Sequence, residues 1–157
     1  MKYKILTYPD SRLKQKAYHV LEFNEELRTI VRNMYETMYD AEGVGLAATQ
    51  VDIHKRIITT CIDKQEITFI NPELSVVGSD VQKYEEGCLS FPSMRVERSR
   101  PTVVQVSYQD VYGASHFMTC DHLLAVCIQH EIDHINGITF IDGLSPFKRQ
   151  RLLDKYF

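Results

Sequence analysis

Asp121-His122-Leu123-Leu124-Ala125-Val126-Cys127-Ile128-Gln129-His130-Glu131-Ile132-Asp133-His134-Ile135-Asn136-Gly137 is the stretch on which the reading of this chain turns. Asp121 is a good N-cap and Gly137 a good stop just past the last turn, so a helix is expected between them. It is apolar almost all round, through Leu123, Leu124, Ala125, Val126, Cys127, Ile128, Ile132 and Ile135. Such a helix belongs in the centre of a domain. Yet it carries two imidazoles and a carboxylate. Burying His130, Glu131 and His134 among aliphatic groups costs several kcal/mol unless they are paired or metal-bound. Residues four apart share a helix face, so His130 and His134 can reach one cation. Glu131 is turned by about 100° from His130 and can approach a water there without ligating. The bland alternative is a polar stripe on an ordinary exposed helix, and the apolar surroundings oppose it.

Upstream of this helix the middle third of the chain reads as strands. Arg56 to Ile62 and Ile67 to Ile70 are rich in β-branched residues, and Asn71-Pro72 is expected to stop the second. Thr102 to Tyr108 alternates, with Val104, Val106 and Tyr108 on one face; a turn at Asp110 to Gly113 leads to a strand from Ser115 to Thr119. Nearer the start, Pro9-Asp10-Ser11 is a turn into a brief helix around Arg12 to Lys16. Asn24 caps an amphipathic helix, with Glu25 and Glu26 at its positive end and Leu27, Ile30, Val31, Met34 and Met38 forming its apolar stripe. A Gly-containing loop from Glu42 to Gln50 follows. Downstream, Ser145-Pro146 is an N-cap with Pro at N1, opening a short C-terminal helix. The expected fold is α+β: antiparallel or mixed β-sheets around the central buried helix, with an N-terminal amphipathic helix and a short C-terminal one.

The chain has 157 residues, 44% hydrophobic and 25% charged, which suits a single domain over residues 1–157. A net charge of −3 and a pI near 6.1 give no global pull toward DNA or anionic lipid. No apolar run is long enough to span a membrane. Met1-Lys2-Tyr3-Lys4-Ile5 begins with positive charge but lacks an apolar h-region, so no secretory signal is expected. Cys61, Cys88, Cys120 and Cys127 are irregularly spaced and read as reduced thiols of a cytoplasmic protein. Cys61 and Cys120 read as packing residues; His19, His54, His116 and His122 read as surface or capping residues.

Two histidines leave a tetrahedral cation incomplete: a catalytic site needs a third protein ligand and an open position for water. Downstream of His134 there is no histidine, and the only carboxylates are Asp142 and Asp154. Upstream lies Glu85-Glu86-Gly87-Cys88-Leu89-Ser90, whose thiolate would bind a divalent metal strongly. A lone cysteine is more often a small buried hydrophobe; beside an incomplete H-E-x-x-H, the ligand reading for Cys88 prevails. The third segment is Gly43-Val44-Gly45-Leu46-Ala47-Ala48-Thr49-Gln50. Its glycines allow close approach by another chain, and the Gln50 amide can donate to a developing oxyanion. By itself a Gly loop after a helix is usually a turn.

Together, Gly43 to Gln50, Glu86-Gly87-Cys88-Leu89-Ser90 and Gln129 to His134 resemble, in order, the three signature motifs of the peptide deformylases. The likeness runs from Pro9-Asp10-Ser11-Arg12-Leu13 through Ile70-Asn71-Pro72-Glu73 to Leu144-Ser145-Pro146. It implies removal of the formyl group from the N-formylmethionine of nascent chains. It further implies one divalent metal ion held by Cys88, His130 and His134, Fe²⁺ physiologically, with Zn²⁺, Ni²⁺ or Co²⁺ able to substitute. The cation makes water acidic enough for Glu131 to take its proton as general base, and the oxyanion is met by the Gln50 amide and the Leu89 N–H. The peptide would lie extended beside Gly45 and the Cys88 segment, as an added strand. Its methionine would enter an apolar pocket lined by Val44, Leu89, Leu123, Val126, Cys127 and His130, with Glu86 at the wall. Plain core packing is the competing role for Leu123, Val126 and Cys127.

The match loosens in Arg95-Val96-Glu97-Arg98-Ser99-Arg100, where Arg98 replaces a residue usually apolar in the family. That puts the local strand register and the substrate rim in question. Arg95, Arg98 and Arg100 can form a basic patch for the peptide's carboxylate end or for ribosomal RNA, or a solvated charged strand. The C-terminal helix, with Lys148, Arg149, Arg151 and Lys155 against Asp154, is a candidate ribosome contact or a solvated basic face. The expected state is a monomer. A zinc endopeptidase is one rival and would need a downstream ligand; a non-catalytic peptide-binding domain is another and would be expected to lose Glu131 or Gln50.

Overall fold

A computed structural model describes residues 1–157. Seven strands and three helices follow one another as α1 (Glu25–Asp40), β1 (Gly45–Ala47), β2 (Ile57–Ile62), β3 (Gln65–Val76), β4 (Val81–Cys88), β5 (Phe91–Pro101), β6 (Val103–Gln109), β7 (Ser115–Asp121), α2 (His122–Ile135) and α3 (Pro146–Tyr156). Five strands form one antiparallel sheet in the order β1-β2-β3-β6-β7, and β4 and β5 form a separate two-stranded hairpin. The architecture is the expected α+β arrangement.

The large sheet is covered on both faces where it carries the site. Ile57 and Ile70 pack with the α1 stripe of Leu27, Ile30, Val31, Met34 and Met38. Their neighbours Ile58 and Phe69 point the other way, into a cluster with Ala125, Ile128 and Ile135 of α2. Side chains alternate across a strand, so a strand buried on both faces must be apolar at consecutive positions. Farther out, β6 turns Val104 and Val106 inward, toward α2, with the partly buried Tyr108 packed on the same cluster. A third cluster (Phe91, Met94, Val96, Phe140 and Ile141) lies under the hairpin, joined by Leu152, Leu153 and Tyr156 of α3.

The caps fall where the sequence puts them. The Asn24 side chain accepts from the Leu27 N–H, and Ser145 accepts from the Lys148 N–H ahead of Pro146. Asp121 is the N-cap of α2, though without a side-chain bond, and Gly137 follows the helix at φ 77°. No helix is long and apolar enough to cross a membrane.

Four local expectations are corrected. The brief helix at Arg12 to Lys16 is a single 3₁₀ turn, Ser11–Lys14, because Gln15 is already extended. The Gly loop holds the short strand β1 and a 3₁₀ turn, Ala48–Val51; the pairing of Gly45 with Thr60 makes its first half a sheet edge. Asn71-Pro72 does not end β3. The ladder shifts register between Ile70 and Glu73, and this bulge takes up Pro72, which has no N–H to donate. Asn71 sits there at φ 52°, its side chain bonded to both backbone groups of Val20. The register of Arg95 to Arg100 is regular: pairing runs without a break from Val81↔Pro101 to Gly87↔Arg95. Arg98 fits because its guanidinium donates to the Phe140 carbonyl at 2.9 Å.

Candidate active site and metal centre

α2 carries His130, Glu131 and His134 into the interior, each at most 6% exposed. The hairpin brings Cys88, at the end of β4, to meet them. Cys88 Sγ lies 3.2 Å from His134 Nε2, which lies 3.2 Å from His130 Nε2. The three donor atoms all fall within 4.8 Å of one another. Asp142 and Asp154 take no part: Asp142 accepts from the Thr139 N–H and Asp154 from Gln150 on α3.

The chemistry of this donor set fits a divalent cation. Glu86 Oε1 faces His130 Nδ1 at 2.9 Å. A carboxylate only accepts, so it places the imidazole proton on Nδ1 and leaves the Nε2 lone pair facing Cys88 and His134. Burial and the neighbouring His130 disfavour a charge on His134, which suits a neutral ligand. Its own Nδ1 is buried without a partner, as is Glu131 Oε1. The open carboxylate oxygen of Glu131, beside the cluster, leaves room there for a further polar group.

Glu131 has the environment of a proton carrier. Burial pushes its carboxyl up to about 7, partly opposed by the charge of His130. A group with that pKa can take a proton and return it near neutral pH. Gly45 passes so close that a Cβ there would sit 2.7 Å from Glu131 Oε2 and 2.6 Å from Cys127 Sγ. Only glycine lets the sheet edge approach the carboxylate. Gln50, 1% exposed, has its Oε1 held by the Ala47 N–H at 2.9 Å, so its Nε2 turns toward the metal side. Nε2 donates to Ser90 Oγ at 3.0 Å and lies 3.8 Å from Cys88 Sγ. Leu89 occupies the bend between β4 and β5.

These groups open onto a cavity of about 630 Å³. Its walls include all the residues the sequence nominated for substrate: Val44, Gly45, Glu86, Leu89, Arg95, Leu123, Val126, Cys127 and His130. His134 lies behind the wall. Burial pushes the Cys127 thiol well up, so it is a neutral wall group and no nucleophile. The guanidinium of Arg95 lies directly over Gly87 at the rim.

The basic patch is not present as such. Arg100 is buried and paired with Glu86 at 2.6 and 3.0 Å, with a third contact to Asp133 at 3.1 Å. Burial opposes the Glu86 charge, yet His130 and Arg100 together hold its carboxyl below the ordinary glutamate range. Arg100 and Asp133 therefore belong to the support of His130, a role sequence reasoning missed. Glu86 and Arg100 are not cross-strand partners, since Glu86 pairs with Val96 and Gln82 with Arg100. No hairpin spacing signals the contact. Thr49 was also passed over; its hydroxyl donates to the His134 carbonyl at 3.2 Å. Tyr84, Glu42 and Ser93 also line the cavity, and their sequence contexts carry no chemical signal.

Fold and site together define the class of metal-dependent hydrolases: an H-E-x-x-H helix is met by a cysteine from a separate hairpin, in a group able to hold a cation. The polypeptide deformylase family matches over residues 2–150. A peptide deformylase of Cellvibrio japonicus is 45% identical over 154 residues, covering 96% of this chain and 91% of the other. Among solved structures, a peptide deformylase from Legionella pneumophila superposes with a TM-score of 0.91 at 43% identity, over 99% of this chain and 95% of that one. A peptide deformylase from Synechococcus elongatus in complex with actinonin gives 0.93 at 39%, over 98% and 85%. The chain belongs to the peptide deformylase family, metal-dependent hydrolases that remove the formyl group from the N-terminus of nascent polypeptides.

Proposed function

We propose that residues 1–157 act as one catalytic domain that deformylates N-formylmethionyl peptides in the cavity between α2 and the β4–β5 hairpin. The observation that carries this reading is the convergence of Cys88, His130 and His134 beside Glu131 and Gln50. Cys88, His130 and His134 would hold one divalent cation. That cation, when bound, supplies a Lewis acid that makes water a nucleophile near neutral pH. Fe²⁺ is the proposed physiological ion, in keeping with a thiolate among the ligands, and Zn²⁺, Ni²⁺ or Co²⁺ would fit the same set.

Glu131 Oε takes a proton from the attacking water. The formyl carbon becomes tetrahedral, and negative charge grows on its oxygen. Gln50 Nε2 and the Leu89 N–H donate to that oxygen. Glu131 then returns the proton to the departing amine as the C–N bond breaks, releasing formate and the free N-terminus. Glu86 accepts from His130 Nδ1 throughout and fixes that ring. Val44, Leu123, Val126 and the neutral Cys127 receive the methionine side chain, whose flexible thioether suits an aliphatic and sulfur wall. Gly45 and Arg95 would border the peptide beyond it.

The chain is proposed to work as a cytoplasmic monomer, with the basic face of α3 as a contact for the ribosome. Purification without oxygen, metal analysis, and incubation with a formyl-Met tripeptide and with an unformylated peptide test the central reading. Formate release with one cation per chain supports it. Internal cleavage of the unformylated peptide would instead make the protein an endopeptidase, and bound metal with neither product would make it a binding domain.

A further inference from the structure

We infer that the N-terminal segment Leu6–Tyr8 is a strap that sets the distance between the two oxyanion donors, Gln50 and Leu89. The inference rests on the donor roles given to those residues above. The donors come from unconnected places. Gln50 is in the 3₁₀ turn after β1, at the edge of the five-stranded sheet, whereas Leu89 is at the bend of the hairpin. No strand pairing joins the two sheets, and no backbone hydrogen bond runs directly from the Gln50 turn to the Cys88–Ser90 bend.

Leu6 and Tyr8 bridge them. The Leu6 N–H donates to the Gln50 carbonyl at 2.7 Å, and the Tyr8 N–H donates to the Ser90 carbonyl at 2.9 Å. The two donors are two residues apart in the chain, so one short segment reads both carbonyls at once. The strap is itself held at both ends. Leu6 is 5% exposed, and the Tyr8 ring stacks on Phe91 with centroids 5.2 Å apart. Upstream, the Tyr3 N–H donates to Thr37 Oγ1 on α1 at 2.8 Å. The direct link between the two sites is one side-chain amide, Gln50 Nε2, which is also the donor to be positioned.

Two donors serve one oxygen only if their separation is fixed before the reaction. A misplacement of about 1 Å can cost about a hundredfold in rate. Leu6 and Tyr8 touch no reacting atom; they are positioning residues acting through their backbone.

The test compares Leu6→Pro, which deletes the N–H, with Leu6→Ala, which keeps it and removes packing. The expected result for Leu6→Pro is a kcat lower than that of Leu6→Ala by about tenfold or more, with KM within about twofold. Release of the cation to a chelator should match that of Leu6→Ala, and the thermal midpoint should lie only a few degrees lower, as for the loss of one hydrogen bond. Equal kcat for the two variants overturns the proposal, as does cation release that speeds up in step with the loss of kcat. If Leu6→Pro does not fold, a chain with the Leu6 amide replaced by an ester removes the same donor and keeps the side chain, and the same comparison applies. Gln50→Ala is measured alongside. Wild-type kcat in Gln50→Ala removes the donor assignment itself, whereas a slow Gln50→Ala beside an unimpaired Leu6→Pro removes the strap alone.

Discussion

The five-stranded sheet with α1 and α2 and the two-stranded hairpin build one site by different physics. In the first, Ile57, Ile58, Phe69 and Ile70 are fully buried between two helices, and hydrophobic burial holds the layers together. In the second, β4 leaves Val81, Lys83, Tyr84 and Glu85 exposed, and its buried side chain is the charged Glu86. The hairpin meets α2 through an ionic fork from Arg100 to Glu86 and Asp133 and through the Glu86–His130 bond. Hydrophobic contact is non-directional, whereas a carboxylate–guanidinium pair fixes angle as well as distance. The cavity lies on the seam. The apolar half presents His130, Glu131 and His134, and the polar half is oriented by charge so that Cys88 arrives beside them.

Changes at the seam should separate the two contributions. Cys88→Ala removes what the hairpin brings, and the expected outcome is loss of the bound cation and formate release at background. Metal analysis checks it, and a variant that still binds one cation per chain would end the hairpin's role as ligand source. Glu131→Ala removes what the helix brings beyond ligation. Its cation should stay, while kcat falls by about 10²–10⁴-fold, the usual worth of a positioned acid–base group. A kcat near wild type with normal metal content would strip Glu131 of its role.

The stabilities of the halves can be set against each other with Phe69→Ala and Glu86→Ala. The first opens a hole in the apolar half and is expected to cost about 3–5 kcal/mol. The second leaves Arg100 buried without its main partner, and about 3–5 kcal/mol is expected there too. Cation retention should tell them apart. Glu86→Ala frees His130 Nδ1 and should weaken retention by about 10–100-fold, while Phe69→Ala should leave it nearly unchanged. Equal loss of cation in both variants would mean that the seam is held by the whole fold and not by the charged network.

The same contrast decides what was legible in the sequence. The apolar half writes itself in periodicity and punctuation: the α1 stripe after Asn24, the alternation of Val104 and Val106, the apolar helix ended by Gly137. The hairpin does not. Glu86, Arg98 and Arg100 put charged groups on the inward phase of its period of two, so β4 and β5 emerge only in the structure, although Met94 and Val96 do point inward. The cluster of Cys88, His130 and His134 was readable because the chemistry limits the choices: two histidines at helical spacing that leave a cation incomplete, and one cysteine among glycine and acids. Arg100 was not, because burial of a charge depends on partners that sequence does not bring together. Gln50 was visible through its glycine context, while the bonds that aim it, from Ala47 and to Ser90, are tertiary facts.

The smallest effect is expected where the apolar half grips its own helix. Thr49 and Gln50 are neighbours in one 3₁₀ turn, and they face opposite sides of the seam: Thr49 Oγ1 to the His134 carbonyl, Gln50 Nε2 to Ser90. Thr49→Val keeps the shape and removes the hydroxyl. The His134 carbonyl still accepts from the Gly137 N–H at 3.0 Å, so no buried acceptor is orphaned. The cost should then be that of one ordinary hydrogen bond, about 1 kcal/mol, or a fall of roughly 2–4 °C in the thermal midpoint. Because α2 is packed along its length by the sheet, His134 should stay in place, and cation release should change far less than in Glu86→Ala. Thr49→Ser keeps the hydroxyl but loses a buried methyl, so its His134 carbonyl contact should persist while the midpoint falls by a comparable amount. A Thr49→Val protein that loses its cation as readily as Glu86→Ala would reverse the comparison: the helix, not the hairpin, would then be the half whose placement depends on directed polar contacts.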